Sequence, residues 1–321
     1  MLSPGLNQYR KTCHLLLSIA LAPLFFACAH AVSPTNSSAI KSMSAEKKPE
    51  PGTFPQSWYA GNADHVGRAD FQVHAYNDDF YILRQAAFTN YEKPFLYLIF
   101  GKDKAILFDT GAGKADVAGA VEAVMQAWLK KHNRASIPLI VAHSHAHGDH
   151  VAGDAQFANR AGITLVGKDT AAVRAFFGLQ HWPTDMATYD LGNRILDIFP
   201  IPGHEASSIA VYDRRTHILL TGDTFYPGRL YVRDGKAFTA SIQRLVDFSA
   251  THNVAHFLGT HIEQSSTPFK DYVVGTVDQP NEHVLELTRA DLLEMNDALK
   301  VMNGTVVRKA FADLTIWPNT R

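Results

Sequence analysis

"VAHSHAHGDH", residues 141–150, ends an aliphatic run with four histidines and an aspartate. His143 and His145 form one H-x-H pair, and His145 and His147 form a second. In an extended segment either pair sets two imidazoles on one side, and imidazole is the commonest side chain for borderline-soft metals. Upstream, "SIPLIVAHS" reads as a buried strand, so the histidines occupy the loop at a strand terminus.

Four more segments end in the same fashion. Asp109 closes "AILFDTG", Asp223 closes "LLTGDT", His261 closes "FLGTH", and His204 stands in "IPGHE". Aligned strand ends in a layered fold build one site from residues distant in sequence. The strands "FQVHAYNDDFYILR", "PFLYLIFG" and "KAILFDTG" open the domain as a meander, with Gly101-Lys102-Asp103 as a turn. Val117, Val121, Val124, Met125 and Leu129 recur at helical spacing, and helices are expected at "HVAGDAQFANRA", "DTAAVRAFFGL", 240–251 and 289–301. Two strand-rich halves with interspersed helices predict an α/β (α+β) fold of two packed sheets with helices outside.

Composition narrows the partners. Lys plus Arg number 30 against 31 Asp plus Glu, a formal charge of -1, which gives no basic footprint for nucleic acid. Sixteen histidines raise the expectation of a metal site. Arg10 and Lys11, an apolar stretch from Leu15 to Ala27 and the small residues Ala29 and Ala31 read as a secretory signal over 1–31, so the mature chain is expected in the periplasm or secreted. "LFFAC" at 24–28 resembles a lipobox, which leaves a lipid anchor on Cys28 as the alternative, without a spanning segment in the mature chain. Residues 32–57 read as a flexible tether and 58–321 as the folded domain. Both cysteines, Cys13 and Cys28, precede that domain, so any metal there is held by His and carboxylate.

His145-Ala146-His147-Gly148-Asp149-His150, with the later His204, Asp223 and His261, resembles the H-x-H-x-D-H signature and following motifs of the metallo-β-lactamase superfamily, over about residues 75–262. The "DH" pair sets the register and leaves His143 outside it, as a packed or hydrogen-bonded neighbour. The resemblance implies a four-layer αββα sandwich and two Zn2+ per chain: His145, His147 and His204 on the first, Asp149, His150 and His261 on the second, Asp223 bridging. Gly148 makes the bend that turns Asp149 and His150 to the second ion cheap. Asp109 would support the ligands without binding metal.

The implied activity is hydrolysis, in which a hydroxide shared by two zinc ions attacks the carbonyl of a small acyl substrate. Asp149 would orient the nucleophile. Tyr226, three residues after Asp223, sits at the offset of a tyrosine in the superfamily's N-acyl homoserine lactone hydrolases and is the candidate oxyanion donor; a tyrosine packed under "FYPGRLY" is the competing reading. His147 argues against di-iron oxygen reductases, which carry Glu there, and Asp223 against β-lactamases with a bridging cysteine. Lactone, thioester, ester or β-lactam hydrolysis remains, the last with an all-His/Asp site. The second class is a mononuclear iron persulfide dioxygenase using the first three ligands. "FFGLQHWPTDM" (176–186) and "FYPGRLYV" (225–232) are the expected specificity loops.

Overall fold

The computed structural model describes residues 48–61 and 68–319. The expected signal segment and residues 32–47 of the expected tether lie outside the described residues. Residues 50–57 do not form a free tether. The Glu50 amide donates to the Arg215 carbonyl (2.8 Å) and that of Thr53 to the Tyr76 carbonyl (2.9 Å). The Phe54 ring packs on Tyr76 and His256 at centroid distances of 5.3 and 5.1 Å. The polar composition of this stretch hides the one aromatic residue that fastens it.

The first sheet contains β1 (Phe71–Asn77), β2 (Phe80–Gln85), β3 (Phe95–Phe100), β4 (Ala105–Phe108), β5 (Leu139–Ala142) and β6 (Ile163–Leu165), side by side in chain order. The second contains β7 (Ala187–Asp190), β8 (Ile195–Pro200), β9 (Ile209–Asp213), β10 (Ile218–Gly222), β12 (His256–Gly259) and β13 (Glu286–Leu287), in spatial order β13-β12-β10-β9-β8-β7. A small third sheet pairs β11 (Arg229–Val232) with β15 (Thr315–Pro318), and β15 with β14 (Lys309–Ala310). The helices are α1 (Val117–Lys131), α2 (Gly148–Val151), α3 (Thr170–Phe177), α4 (Gly235–Thr251) and α5 (Arg289–Met302).

Strand periodicity builds the layers. In "FLYLIF", Phe95, Tyr97 and Ile99 face the second sheet, where they share a core with Ile198, Val211 and Leu220. Leu96, Leu98 and Phe100 face the other way, onto Val121, Met125 and Trp128 of α1. Both faces are covered, so the strand reads as a continuous apolar run. The outer face of the second sheet, with Phe199, Tyr212 and Leu219, is covered by Phe238, Ile242 and Leu245 of α4 and by Leu292, Met295 and Leu299 of α5. The result is the expected αββα sandwich.

Several local expectations change. The helix expected over "HVAGDAQFANRA" shrinks to α2 and a 3-10 turn at Asp154–Gln156. Gly153 interrupts it where a Cβ would lie 2.5 Å from the Thr110 carbonyl oxygen and 2.4 Å from Val117, a close approach that only glycine allows. α4 begins at Gly235, five residues earlier than expected, because Asp234 caps the amides of Lys236 and Ala237. Half of "FYPGRLYV" is strand β11, whose partner β15 lies some eighty residues downstream and leaves no local signal. α5 meets its expected position and starts with a capping box between Thr288 and Asp291.

Candidate metal centre

The site lies at the carboxyl ends of strands in both large sheets, the usual place for a ligand in open sheets. β4 and β5 are parallel neighbours and deliver Asp109 and the histidine loop together. β10 and β12 are likewise parallel and deliver Asp223 and His261. Gly222 takes φ 50° before Asp223. A Cβ there would stand 2.9 Å from that of Ser144, so close contact between the two sheets' loops requires the glycine.

Two groups of side chains converge. His145, His147, His204 and Asp223 form one, and Asp149, His150, Asp223 and His261 the other, with ligand atoms within 4.8 Å of one another in each. In the first, His147 Nδ1 lies 3.1 Å from His145 Nε2 and 2.9 Å from His204 Nε2. Asp223 Oδ2 is 3.7 Å from His145 Nε2 and 3.5 Å from His204 Nε2. In the second, Asp149 Oδ2 is 3.1 Å from His150 Nε2 and 3.2 Å from His261 Nε2. Asp223 spans both groups, with Oδ2 3.5 Å from His150 Nε2 and Oδ1 3.4 Å from His261 Nε2.

The outward-facing nitrogens explain the inward ones. His150 Nδ1 lies 3.0 Å from Asp109 Oδ2, His204 Nδ1 2.8 Å from the Tyr231 carbonyl, and His261 Nδ1 3.0 Å from the Glu92 carbonyl. Each acceptor calls for a proton on Nδ1 and so leaves the Nε2 lone pair facing the centre. Ser144 Oγ donates to Asp109 Oδ2 (2.8 Å), which makes its oxygen the acceptor for His145 Nδ1 at 3.1 Å. Converging lone pairs at about 3 Å repel one another unless a cation or proton sits among them. Donors on a tetrahedral ion with bonds near 2.1 Å stand about 3.4 Å apart. The separations suit a zinc-type ion, with ligands of the N and O class.

The charges agree. Burial, and then the neighbouring His150, hold His145 well below the usual imidazole range, so it stays neutral. Burial opposes the charged form of His150, yet Asp149, Asp223 and Asp109 together push it well above that range. For His261 burial is likewise outweighed, chiefly by Asp223 and Asp149, and its pKa is pushed up to about 9. Without a metal, protons on His150 and His261 balance the carboxylates. A bound cation replaces them in that role.

The seven expected ligands therefore meet in one place. His143 does not join them: it is buried, with Nε2 3.3 Å from Asp154 Oδ1, as the register of the motif implied. Asp109 accepts from Ser144 N (2.7 Å), Ser144 Oγ and His150, the supporting position expected of it. Tyr226 lines the cavity over the two groups, with its hydroxyl donating to the Arg229 carbonyl and 3.0 Å from Glu263 Oε2, the arrangement of the competing, packed reading. Ser144 and Thr260, whose hydroxyl donates to Asp223 Oδ1, were missed. Each directly precedes a histidine ligand, the one signal that marks them.

A cavity of about 300 Å³ opens over both groups, walled by Tyr91, Glu92, Tyr231 and Glu263. Glu263 is neutralised by Arg229 (Nη2 to Oε1, 2.7 Å).

A family model described as the metallo-beta-lactamase superfamily matches residues 93–251, which holds six of the seven ligands and stops before His261. Acyl-coenzyme A thioesterase MBLAC2 of Homo sapiens is 22% identical over 184 residues, 48% of this chain and 66% of that protein. A hydroxyacylglutathione hydrolase of Rhizobium meliloti (strain 1021) is 26% identical over 106 residues, 32% of this chain and 41% of that one. The chain thus spans less than two thirds of the length of these relatives. A metallo-beta-lactamase from Pontibacter korlensis superposes with a TM-score of 0.48 at 20% identity, covering 72% of this chain and 99% of that one. Residues 93–251, with the ligand loops they carry, thus match the metallo-β-lactamase superfamily.

Proposed function

We propose that the protein is a binuclear zinc hydrolase of a small acyl compound, a thioester, ester, lactone or lactam. The observation that carries this reading is Asp223, whose carboxylate faces both ligand groups at once, Oδ2 towards His145, His204 and His150 and Oδ1 towards His261. A mononuclear iron oxidoreductase would use the first group and leave Asp149, His150 and His261 without a role. The relatives' names, a thioesterase and a hydroxyacylglutathione hydrolase, share acyl transfer to water and support the reaction class.

When bound, a zinc pair supplies a hydroxide at neutral pH and polarises the substrate carbonyl. The chain's own part follows from its geometry. Asp223 holds the two ligand groups in register. Asp149 contacts His150 and His261 through Oδ2, which leaves Oδ1 to orient the nucleophile. Asp109 and Ser144 keep His150 and His145 in the tautomers that face inward. Tyr91 and Tyr231 wall the cavity and shield the reacting carbonyl from bulk water.

Elemental analysis of the purified chain and of Asp223→Ala tests the reading. Near two zinc per chain, falling in the variant together with hydrolysis of thioester, lactone and β-lactam probes, is expected. About one iron and no zinc would overturn it.

A further inference from the structure

Lys93 takes a φ of 48°, in the left-handed region. Asn133, Asn159, Asn193, Asn303, Asp109 and His217 share that region and are of the types that tolerate it. Among the described residues only Lys93 and Phe269 bring another non-glycine side chain there, and of the two only Lys93 is buried. Pro94 follows, and the residue before a proline is pushed towards extended backbone, from which Lys93 also departs. We infer that Lys93 is a positioning residue for the metal centre: its buried ammonium holds a left-handed turn that aims the Glu92 carbonyl at His261 and so fixes an imidazole of the second ligand group. This role rests on the hydrolase reading of that centre.

The peptide unit between Glu92 and Lys93 is held on both edges. Its N–H, on Lys93, donates to the Asn90 carbonyl at 3.3 Å, and its C=O, on Glu92, faces His261 Nδ1 at 3.0 Å. Further along, the Phe95 amide donates to the Thr260 carbonyl at 2.8 Å. Segment 92–95 therefore runs beside 260–261 and touches both of those residues. Because the peptide unit is planar, the φ of Lys93 sets how it is turned relative to the chain that follows. At a right-handed φ of about −63°, with Phe95 still paired to Thr260, the unit would swing through more than a right angle and its carbonyl would leave His261. The same segment brings Tyr91 and Glu92 to the wall of the cavity over both ligand groups.

Left-handed backbone is unfavourable for a residue with a Cβ, so the turn reverts unless something opposes that tendency. The lysine's own side chain does so. Nζ donates to the Val277 carbonyl at 3.2 Å and lies 3.5 Å from Glu282 Oε1. Glu282 is fixed in turn by Arg84 Nη2 at 2.8 Å, and the Arg84 guanidinium lies over the Phe95 ring at 4.3 Å. The anchor and the strained backbone thus close a loop through Phe95 back to Thr260, next to His261. A carboxylate already paired with a guanidinium does not need a second buried cation for stability, and an apolar residue of that volume would fill the space. Backbone strain maintained by an otherwise dispensable buried charge points to a site that uses it.

The test begins on the metal-free chain and needs no turnover. In protein with isotope-labelled histidine, the Nδ1–H proton of His261 is followed by NMR and assigned by its loss in His261→Gln. The parent should show it hydrogen-bonded and protected from exchange with water. Lys93→Ala loses the anchor and keeps the strain, so exchange should rise at least about tenfold, the shift that unopposed left-handed strain produces. Lys93→Gly loses the same anchor but carries no strain in that region, and should stay within about threefold of the parent. Lys93→Met, which keeps the volume without the ammonium, should follow Lys93→Ala. Calorimetric zinc titration should show one of the two affinities weakened about tenfold in Lys93→Ala and Lys93→Met and the other unchanged. Urea unfolding establishes that each variant is folded under these conditions. Elsewhere in a fold glycine is the more disruptive replacement, so a merely space-filling role predicts that Lys93→Gly does no better than Lys93→Ala. That order, or a parent-like Lys93→Met, overturns the inference. A parent chain that binds a single ion would refute the hydrolase reading, while the His261 resonance of the metal-free chain would still decide the role of Lys93.

Discussion

Two buried polar clusters, one closed and one open, divide the labour in this protein. At the closed one, Arg194 gives Nε and Nη2 to Asp213 at 3.1 and 2.6 Å and Nη1 to the carbonyls of Asp79 and Phe100 at 2.8 and 3.0 Å. Thr216 adds its hydroxyl to Asp213 at 2.6 Å, and charge and hydrogen bonds balance inside the protein. At the open one, five imidazoles and two carboxylates turn lone pairs towards one another, and the balance requires something from outside. Both are largely buried and both hold carboxylates. The difference is whether the protein supplies every partner, and a polar cluster that does not is where chemistry is expected.

The largest effect should come from opening the closed cluster. Asp213→Ala strands a buried guanidinium and should cost about 3–5 kcal/mol in urea unfolding. Asp223→Ala should act mainly on chemistry: it should cost the metal-free chain less, since His150 keeps Asp109 and Asp149 as partners and His261 keeps Asp149, while hydrolysis falls at least about a hundredfold, a loss of about 2.7 kcal/mol in transition-state stabilisation. If both variants unfold alike under chelation, the distinction fails.

Removing metal by chelation should lower the unfolding temperature of the parent chain and leave that of Asp223→Ala nearly unchanged. The stabilisation lost is about 2.7 kcal/mol at a hundredfold excess of metal over its dissociation constant. Asp109→Asn sharpens the same boundary, because Asp109 touches His150 but no candidate ion position. It should weaken metal affinity by about 10–100-fold in competition with a chromogenic chelator.

A third buried cluster lies between the two. Lys93 is buried beside Glu282 (3.5 Å), which also takes Arg84 (2.8 Å), so two cations share one carboxylate. Burial lowers the Lys93 pKa to about 8. Between pH 8 and 10.5 the unfolded chain keeps this proton and the folded chain has lost it, so the Lys93 contribution to stability rises with pH across that window. The stability difference between the parent and Lys93→Met should therefore shift in the parent's favour by about 2 kcal/mol from pH 7.5 to 10. The smallest effect is expected from Tyr226→Phe. It removes the bond to the Arg229 carbonyl and should cost about 1 kcal/mol of stability with hydrolysis changed less than threefold. A hundredfold loss of activity would give the oxyanion role to Tyr226.

The legible parts of this molecule were those with local chemistry. β3 announces itself as six consecutive apolar residues, and α1 by the spacing of Val117, Val121 and Leu129. The ligand loops were legible because each carries its histidine or aspartate straight after an aliphatic strand. Phe54 hid in a polar stretch, β11 in an aromatic loop, and the hydroxyl of Tyr226 gave no sign of its acceptor, since each depends on a partner distant along the chain.

By itself, then, the sequence determined the alternation of buried strands and helices, the ligand types and the exclusion of thiolate, because these follow from side-chain chemistry and short-range period. Only the tertiary structure decided which nitrogen of each histidine faces inward and that the Tyr226 hydroxyl donates to a carbonyl. Those outcomes turn on backbone carbonyls at Glu92, Tyr231 and Arg229, groups that every residue carries and that become specific only when the fold aims them.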